Sequence, residues 1–422
     1  MRILFAPFGS EGDVNPLLWL AGLLTARGHR VEFLLTPHYG HLADRHGFAW
    51  HPMGTEADFL RTANNPAIWK PGIGTWLVAR AMSGSLPAYQ KAFESSGGDF
   101  DLVVTSSFGL AAAALAEARG IPRLMLHLQP MCLRSHCDLP AFPGGAGLSR
   151  APAVFLDAVF FCVDAILNRT LLPPLNRFRA GLGLSRLRDF YRDALMRADG
   201  LALLAPEWFA PPQPDWPKGL RQFDFPLGGK GPLPQDLLAW LGSGAPPVLW
   251  THGSANVHLA KFHRLAREVT RQIGGRALLV GKVPPGFSLP DGMFFYPHVA
   301  FEDVFPRCRA VVHHGGIGTT SKAFAAGIPQ LVIPLAHDQH DNAARVERLG
   351  AGLEGRPRDA SRKLSFLFTS SEIARGVEKC RLLAARSPSR SALLADWAEE
   401  LAADRKMGLN EFWKSSEVMG HG

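Results

Sequence analysis

Short apolar runs alternate along the chain with longer segments in which apolar positions recur at helical spacing. Four such runs in each half predict β-strands. In the first half they lie at residues 2–8, 31–35, 102–105 and 124–128, and in the second half at 248–252, 277–280, 311–313 and 331–333. Strands that alternate with helices are typical of parallel sheets, so the pattern predicts an α/β fold with two doubly wound domains.

Proline- and glycine-rich stretches at 206–219 and 226–234 interrupt this pattern, and we place the linker between the domains near Phe225 to Gln235. The chain has 422 residues, which is long enough for two hydrophobic cores. We therefore expect a first domain at 1–225, a second domain at 235–385, and a helical segment at 386–422 that packs back on the first domain.

The most informative segment is HHGGIGTTSKAFAAGIPQLVIPLAHDQHDN, which begins at His313. Its glycines and threonines, with His314, Gly316, Gly318 and Thr319 among them, lie where a predicted strand leads into a predicted helix. Backbone N–H groups and the positive end of the helix dipole attract anions at such a turn. The pattern therefore predicts a phosphate site, although a tight turn with nothing bound is the alternative.

A carboxylate and an amide, Asp338 and Gln339, follow the next predicted strand. Ligands of open α/β sheets bind beyond the carboxyl ends of the strands, so both side chains lie at the same sheet edge as the glycine-rich turn. This pair suits sugar hydroxyls. A diphosphate beside a sugar describes a nucleotide sugar, bound in the cleft between the two domains.

The first predicted strand ends in the turn GSEGDVNP, which contains Asp13. A partly desolvated carboxylate at the cleft can have its pKa raised into the range of a general base. The alternative is that Asp13 only caps the first helix. We expect Pro16 in the first turn of that helix, and Asn15 as a competing cap that leaves Asp13 free.

Composition narrows the classes of function. The net charge of +8 favours anionic ligands or an acidic membrane surface, but no basic run indicates nucleic acid. Five cysteines at irregular spacing indicate reduced thiols in a cytoplasmic protein, and the pair Cys132 and Cys137 lacks the second pair of a zinc site. Charged residues interrupt the apolar stretch at 153–172, which favours a buried or amphipathic helix over a membrane span.

Three motifs carry a resemblance to a known family: GSEGDVNP, THGS at 251–254, and HHGGIGTT followed by HDQHDNA. Together they resemble the family-one glycosyltransferases of GT-B fold, which include the glycopeptide-antibiotic and sterol glycosyltransferases. The resemblance covers nearly the whole chain. Four further segments resemble the bacterial rhamnosyltransferases of rhamnolipid synthesis: NNPAIWKP at 64–71, WFAPPQPDWP at 208–217, FPL at 225–227 and AHDQHDNA at 336–343.

The resemblance implies a role for each matching residue. Asp13 is the base, and Asp338 and Gln339 hold the donor sugar. The diphosphate contacts are Ser254, His314, Gly316, Gly318 and Thr319, and the nucleotide base lies at His298 and Val299. No Trp or Tyr occupies the position of His298, where relatives stack on the base. The implied reaction is an inverting, metal-independent displacement that uses a nucleotide sugar as co-substrate and no other cofactor.

The sequence leaves the substrates open. Subgroup likeness favours rhamnose from dTDP-rhamnose, and the apolar stretch with Phe155, Phe160, Phe161 and Ile166 favours an apolar acceptor such as a hydroxy fatty acid lipid or a phenolic. The alternative for that stretch is plain core. A UDP-glucose-dependent enzyme acting on sterols, macrolides or flavonoids is the second interpretation. A non-catalytic partner protein and a sugar-nucleotide epimerase are weaker ones. We expect a cytoplasmic protein, with peripheral contact to the inner membrane as an alternative.

Overall fold

A computed structural model of the chain describes residues 1–70, 73–141, 153–228, 231–253, 259–283, 287–386, 390 and 392–403. The first part of the chain forms a seven-stranded parallel sheet in the order β3-β2-β1-β4-β5-β6-β7. Its strands are β1 (Arg2–Ala6), β2 (Arg30–Leu35), β3 (Ala49–Pro52), β4 (Leu102–Ser106), β5 (Arg123–His127), β6 (Gly200–Leu204) and β7 (Leu220–Phe223). β4 and β6 are buried along their whole length, and β1 and β5 are buried except at their first residue, as expected for a sheet covered on both faces.

Six α-helices accompany this sheet in the described part of the chain up to β7. They are α1 (Glu11–Ala26), α2 (Gly40–Arg45), α3 (Glu56–Ala63), α4 (Ile73–Ser95), α5 (Leu110–Ala118) and α6 (Ala153–Gly181). A π-helical turn, Phe190–Leu195, follows α6. None of the helices within the described ranges is long and apolar enough to cross a membrane.

The second part of the chain forms a six-stranded parallel sheet in the order β10-β9-β8-β11-β12-β13. Its strands are β8 (Val248–Thr251), β9 (Ala277–Val280), β10 (Met293–Tyr296), β11 (Ala310–His313), β12 (Gln330–Val332) and β13 (Gly352–Glu354). Its helices are α7 (Gln235–Gly242), α8 (Leu259–Ile273), α9 (Phe301–Val304), α10 (Ile317–Ala326), α11 (Gln339–Arg348), α12 (Ala360–Thr369) and α13 (Ser371–Ala385). The α/β architecture of two doubly wound parallel sheets is thus confirmed.

The strand order reverses at the centre of each sheet, between β1 and β4 and between β8 and β11. Ala6 is paired with Thr105 in the first sheet, and His313 with Thr251 in the second. Each pair ends at the same level, so the two loops that follow begin side by side. Ligands of doubly wound sheets bind at this reversal of strand order, and the candidate residues lie there.

The chain returns to the first sheet after α13. Residues 392–403 are helical, and Trp397 stacks on Phe223 of β7 with ring centroids 5.8 Å apart. Arg27, at the end of α1, forms ion pairs with Asp396 and Glu399 of this helix. The last helix is therefore part of the core of the first domain.

Candidate functional site

The turn after β1 leads directly into α1 and fixes the Asp13 side chain. Ser10 is the N-cap of α1, and its hydroxyl accepts a hydrogen bond from the N–H of Gly12. The Asp13 carboxylate accepts the N–H of Ser10 at 2.7 Å and the Ser10 hydroxyl at 3.0 Å. Gly9 has a φ of 135°, and a Cβ at this position would lie 2.2 Å from the carboxylate. Glycine is therefore required beside Asp13.

Two expectations for this turn are wrong. The helix begins at Glu11, so Pro16 lies inside α1 and not in its first turn. Asn15 does not cap the helix, because Ser10 does so five residues earlier. Asp13 completes a capping box with Ser10, and its side chain is therefore held in place and not free.

Burial changes the acidity of Asp13. Desolvation raises its pKa to about 6, and the two hydrogen bonds from Ser10 act in the opposite direction. A carboxylate with this pKa is ionised at neutral pH yet basic enough to accept a proton.

His314 lies at the start of the loop after β11, packed between two glycines. A Cβ on Gly253 would lie 2.5 Å from its ring, and a Cβ on Gly316 would lie 2.6 Å from its Nε2. Its Nδ1 is buried and has no hydrogen-bond partner among the described residues. Desolvation, with the nearby charge of His252, lowers its pKa to about 4. His314 is therefore a neutral imidazole whose Nδ1 is available for a further hydrogen bond.

The N-terminus of α10 follows His314 directly. Gly316 is the N-cap, and its carbonyl accepts the N–H groups of Thr319 and Thr320. The N–H groups of Ile317 and Gly318, in the first turn, have no carbonyl acceptor within the helix. Gly318 is exposed, and a Cβ there would meet no protein atom within 4 Å. The turn thus offers donors and open space to an anion.

His313 has a structural role, in keeping with its place at the end of β11. Its Nε2 lies 3.0 Å from the side-chain oxygen of Gln330, and its Nδ1 accepts the N–H of Gly315. The ring is fully buried, and it holds the first residue of the glycine-rich turn in place.

Asp338 and Gln339 lie at the start of α11, and their side-chain oxygens have different partners. The side-chain oxygen of Gln339 accepts the N–H groups of Leu335 and Ala336 and so closes the loop after β12. Its amide nitrogen is what it can offer a sugar. Asp338 accepts a hydrogen bond from Asn342 at 2.8 Å.

Asn342 is a site residue that the sequence reasoning missed. Its side-chain nitrogen donates to Asp338 and to the carbonyl of Gly315, so it joins the predicted sugar segment to the predicted phosphate turn. The signal was present: residues four apart on a helix are neighbours, and Asn342 follows Asp338 by four positions.

The two domains bring Asp13 and Asp338 into the same cleft. Burial raises the pKa of Asp338 to about 7, and the negative charges of Asp13 and Asp341 add to this shift. Asp13 and Asp338 therefore interact electrostatically across the domain boundary. Cys132, on the turn after β5, experiences the charges of the same three carboxylates and has a pKa raised to about 12, mainly by burial.

The remaining predicted residues are placed as follows. His298 is exposed in the loop after β10, whereas the Val299 side chain packs into the core of the second domain. Ser254 lies outside the described residues. Within the described ranges, no group of three or more His, Cys, Asp and Glu side chains is arranged to hold a metal ion.

Comparison with known proteins identifies the family. The profile of the erythromycin biosynthesis protein CIII-like C-terminal domain matches residues 274–375. Glycosyltransferase GtfE from Amycolatopsis orientalis is 30% identical over 368 residues, which cover 84% of this chain and 85% of the relative. This protein belongs to the family-one GT-B glycosyltransferases. Glycosyltransferase GtfC from the same organism is also 30% identical, over 84% of this chain and 86% of its own length.

Solved structures of glycosyltransferases share the fold. The glycotransferase of kitacinnamycin superposes with a TM-score of 0.67 at 22% identity, over 95% of this chain and 99% of that one. The spinosyn rhamnosyltransferase SpnG superposes with a TM-score of 0.66 at 18% identity, over 95% and 100% of the two chains. At these identities the solved structures show the fold alone. The family profile and the match to GtfE are what make this protein an enzyme of the natural-product glycosyltransferase type, which transfers a sugar from a nucleotide sugar.

Proposed function

We propose that this glycosyltransferase moves rhamnose from dTDP-rhamnose to a hydroxyl of an apolar acceptor, with inversion at the anomeric carbon and Asp13 as the base. The observation that carries the proposal is the Asp13 carboxylate, which Ser10 fixes in place and whose pKa is about 6. It is close enough to Asp338 of the other domain for its negative charge to raise the pKa of Asp338. A base in this range and position suits proton removal from an alcohol as it attacks.

In the proposed step, Asp13 takes the proton of the acceptor hydroxyl. Both hydrogen bonds from Ser10 go to Oδ2, and the structure shows no protein donor to Oδ1 among the described residues. Oδ1 is therefore the oxygen available for the proton. The acceptor oxygen forms a bond to the anomeric carbon, and the bond from that carbon to the diphosphate breaks on the opposite face.

The charge that develops on the diphosphate is met by neutral donors. His314 has one N–H to give, and the first turn of α10, which follows Gly316, adds the N–H groups of Ile317 and Gly318. The N–H of Thr319 already donates to the Gly316 carbonyl, so its hydroxyl is what Thr319 can offer. Such preorganised dipoles stabilise charge in a desolvated site. Ser254 joins them by family resemblance alone. Because these groups can meet the charge, we propose that the reaction needs no metal, and EDTA should leave turnover unchanged.

For the donor, we propose that Asp338 and the amide nitrogen of Gln339 hold the sugar hydroxyls. His298 and Val299 would border the nucleotide base. The Val299 side chain packs inward, so its backbone is what it can contribute.

Three relatives support dTDP and rhamnose. SsfS6 from Streptomyces sp. SF2575 is a structural neighbour complexed with thymidine diphosphate. VinC is a neighbour in complex with dTDP, and SpnG is a rhamnosyltransferase. These names bear on this chain through family membership only, together with the resemblance to the rhamnolipid subgroup.

An apolar acceptor is supported by α6. Its first half exposes Val154, Phe155, Phe161 and Ile166, with 73% of Phe161 and 65% of Ile166 accessible to solvent. The interpretation of this stretch as plain core is therefore wrong for these side chains. Exposed apolar side chains on one helix mark a surface that binds apolar partners. The same face, with the net charge of +8, supports our proposal of a cytoplasmic enzyme with peripheral membrane contact.

A thermal-shift panel of UDP, dTDP, GDP, UDP-glucose and dTDP-rhamnose tests the donor, because a ligand of the native state raises its melting temperature. Product analysis with dTDP-rhamnose and hydroxy fatty acid or phenolic acceptors then tests the reaction. We expect shifts with dTDP and dTDP-rhamnose, and a β-configured product from a donor of α configuration or the reverse. If UDP-glucose raises the melting temperature more than dTDP-rhamnose does, UDP-glucose would replace dTDP-rhamnose as the proposed donor. If no nucleotide in the panel raises the melting temperature, the result would favour a non-catalytic partner protein.

A further inference from the structure

The segment that carries Asp338 touches the first domain on both sides of that residue. Before it, the His337 ring meets the Trp69 ring edge-on, with centroids 5.7 Å apart. His337 has a φ of 58°, which is rare for a residue with a side chain. After it, Asp341 accepts a hydrogen bond from the N–H of Ala141 at 3.1 Å. The first domain thus contacts the second immediately around the proposed sugar-binding carboxylate.

The second of these contacts is part of a buried ion network. Arg345 is 2% exposed and Asp341 is 1% exposed, and Arg345 donates to Asp341 at 2.8 Å. Arg345 also lies 2.9 Å from the carboxylate of Asp138 in the first domain and donates to the carbonyl of Phe209. Arg348, which is half exposed, donates to the other oxygen of Asp138.

The charges in this network depend on contact between the domains. Burial alone would raise the pKa of Asp138, but Arg345 and Arg348 hold it below its usual range. If the domains separate, Asp138 loses both arginines, and Arg345 keeps only Asp341. Removing one partner from a buried ion pair is strongly unfavourable, because the other charge stays desolvated. The network therefore favours the closed arrangement.

The same helix connects this network to the reaction site. Asp338 and Asn342 lie on α11 one turn from Asp341 and Arg345, and Asn342 also bonds to Gly315 of the phosphate turn. A shift of α11 relative to the first domain would change the separation of Asp338 from Asp13. Nucleotide contacts would shift much less, because they belong to the second domain alone.

We propose that Asp138 and Arg345 are positioning residues, which clamp α11 to the first domain and so set the donor sugar at the correct distance from Asp13. This inference rests on the proposed roles of Asp13 and Asp338. If the inference is correct, substitution of Asp138 or Arg345 lowers turnover and leaves the affinity for the nucleotide unchanged.

Asp138→Asn is the first test, since it keeps the shape of the side chain and removes its charge. We expect kcat to fall at least tenfold, while the Kd for the nucleoside diphosphate changes less than twofold. Asp138→Glu restores the charge and should recover part of the turnover. The control is Glu207→Gln, which breaks the exposed ion pair with Arg390 and should leave both quantities unchanged.

Hydrogen exchange of the unliganded protein gives a readout that does not require activity. In Asp138→Asn, peptides covering α11 should exchange at least fivefold faster, while peptides covering residues 392–403 keep their rate. Equal loss of turnover and nucleotide affinity, or unchanged exchange in α11, would overturn the inference. If the wild-type enzyme fails to bind nucleotide, the proposed function fails, and the exchange result still decides whether the clamp exists.

Discussion

The Asp13 carboxylate accepts two hydrogen bonds from Ser10, one from the backbone N–H at 2.7 Å and one from the hydroxyl at 3.0 Å. Capping and catalysis were competing interpretations of Asp13, and the geometry makes them compatible. The capping box uses Oδ2 and orients the carboxylate, and burial raises its pKa to about 6. A base that reacts through Oδ1 would therefore be held in place by the start of its own helix.

Asp13→Asn should abolish most of the turnover. The amide can still accept the N–H of Ser10, but it cannot take a proton from the acceptor. General bases contribute about 10²- to 10⁴-fold, so we expect kcat to fall within this range while nucleotide affinity stays the same. Turnover of the wild type should also fall as the pH drops through about 6, where Asp13 becomes protonated. Retention of more than a tenth of wild-type kcat would exclude Asp13 as the base.

The same substitution should raise stability at high pH. A carboxyl group whose pKa is higher in the folded state stabilises the fold fully below its unfolded pKa, and it loses this contribution as the pH rises through the folded pKa. For Asp13 these limits are 3.8 and about 6. We expect the melting temperature of Asp13→Asn to exceed that of the wild type at pH 8 and to approach it near pH 4. A lower melting temperature at pH 8 would contradict the desolvation of Asp13.

Gly318→Ala should separate stability from nucleotide binding. An added Cβ meets open space in the unliganded protein, and alanine favours a helix over glycine by up to about 1 kcal/mol. A diphosphate at the N-terminus of α10 would meet this methyl group. We expect an unchanged or higher melting temperature and a Kd at least tenfold weaker, measured by calorimetry.

The matched control for this substitution is Gly22→Ala. Gly22 lies inside α1, far along the chain from the glycine-rich turn, and a Cβ there also meets no atom within 4 Å. It should raise the melting temperature by a similar amount and leave the Kd unchanged. Equal affinities for both variants would place the diphosphate elsewhere.

The sequence predicted every inner strand except β6 and missed the four outer strands. Buried strands such as β1 and β4 appear as continuous apolar runs, because both faces of a covered parallel sheet are apolar. The four strands at the sheet edges, β3, β7, β10 and β13, are only partly buried. The mixed composition of β3, β7 and β13 resembles that of loops. By contrast, β6 and β10 are apolar runs, GLALL and MFFY, which the pattern contained and which we did not predict.

The residues of the candidate site also fall into those that the sequence could predict and those that it could not. His314 and Asp338 could be placed because short motifs connect them to strand ends. The partnership of Asp138 with Arg345 could not, because about two hundred residues separate them and only the folded domains bring them together. Gln339 stays a predicted sugar contact, but its side-chain oxygen accepts backbone N–H groups of the preceding loop, which no spacing rule indicates.

The exposed face of α6 should affect the acceptor and not the donor. Phe161→Ser combined with Ile166→Ser removes apolar surface that is exposed in the free protein, so stability should change by less than about 0.5 kcal/mol. The KM for a long-chain acceptor should rise at least fivefold, and the KM for the nucleotide sugar should stay the same. Phe366→Ser, an exposed aromatic on α12, is the control and should change neither. Unchanged acceptor kinetics in the double variant would remove α6 from acceptor binding.

Trp397→Ala should destabilise the first domain, because this side chain joins the helix at residues 392–403 to the first sheet. Trp397 is buried, stacks on Phe223, and lies under the Arg221 guanidinium at 4.5 Å. Truncation of a buried tryptophan costs about 3–5 kcal/mol. Leu393→Ala, on the exposed side of the same helix, should cost less than about 0.5 kcal/mol.

Urea unfolding followed by tryptophan fluorescence and by circular dichroism measures both variants. Two domains can unfold in separate steps, so each transition has to be fitted on its own. We expect the Trp397→Ala variant to shift one transition and to leave the other in place, because residues 392–403 pack on the first domain alone among the described contacts. If Trp397→Ala and Leu393→Ala have equal effects, the last helix contributes through its presence and not through this aromatic contact.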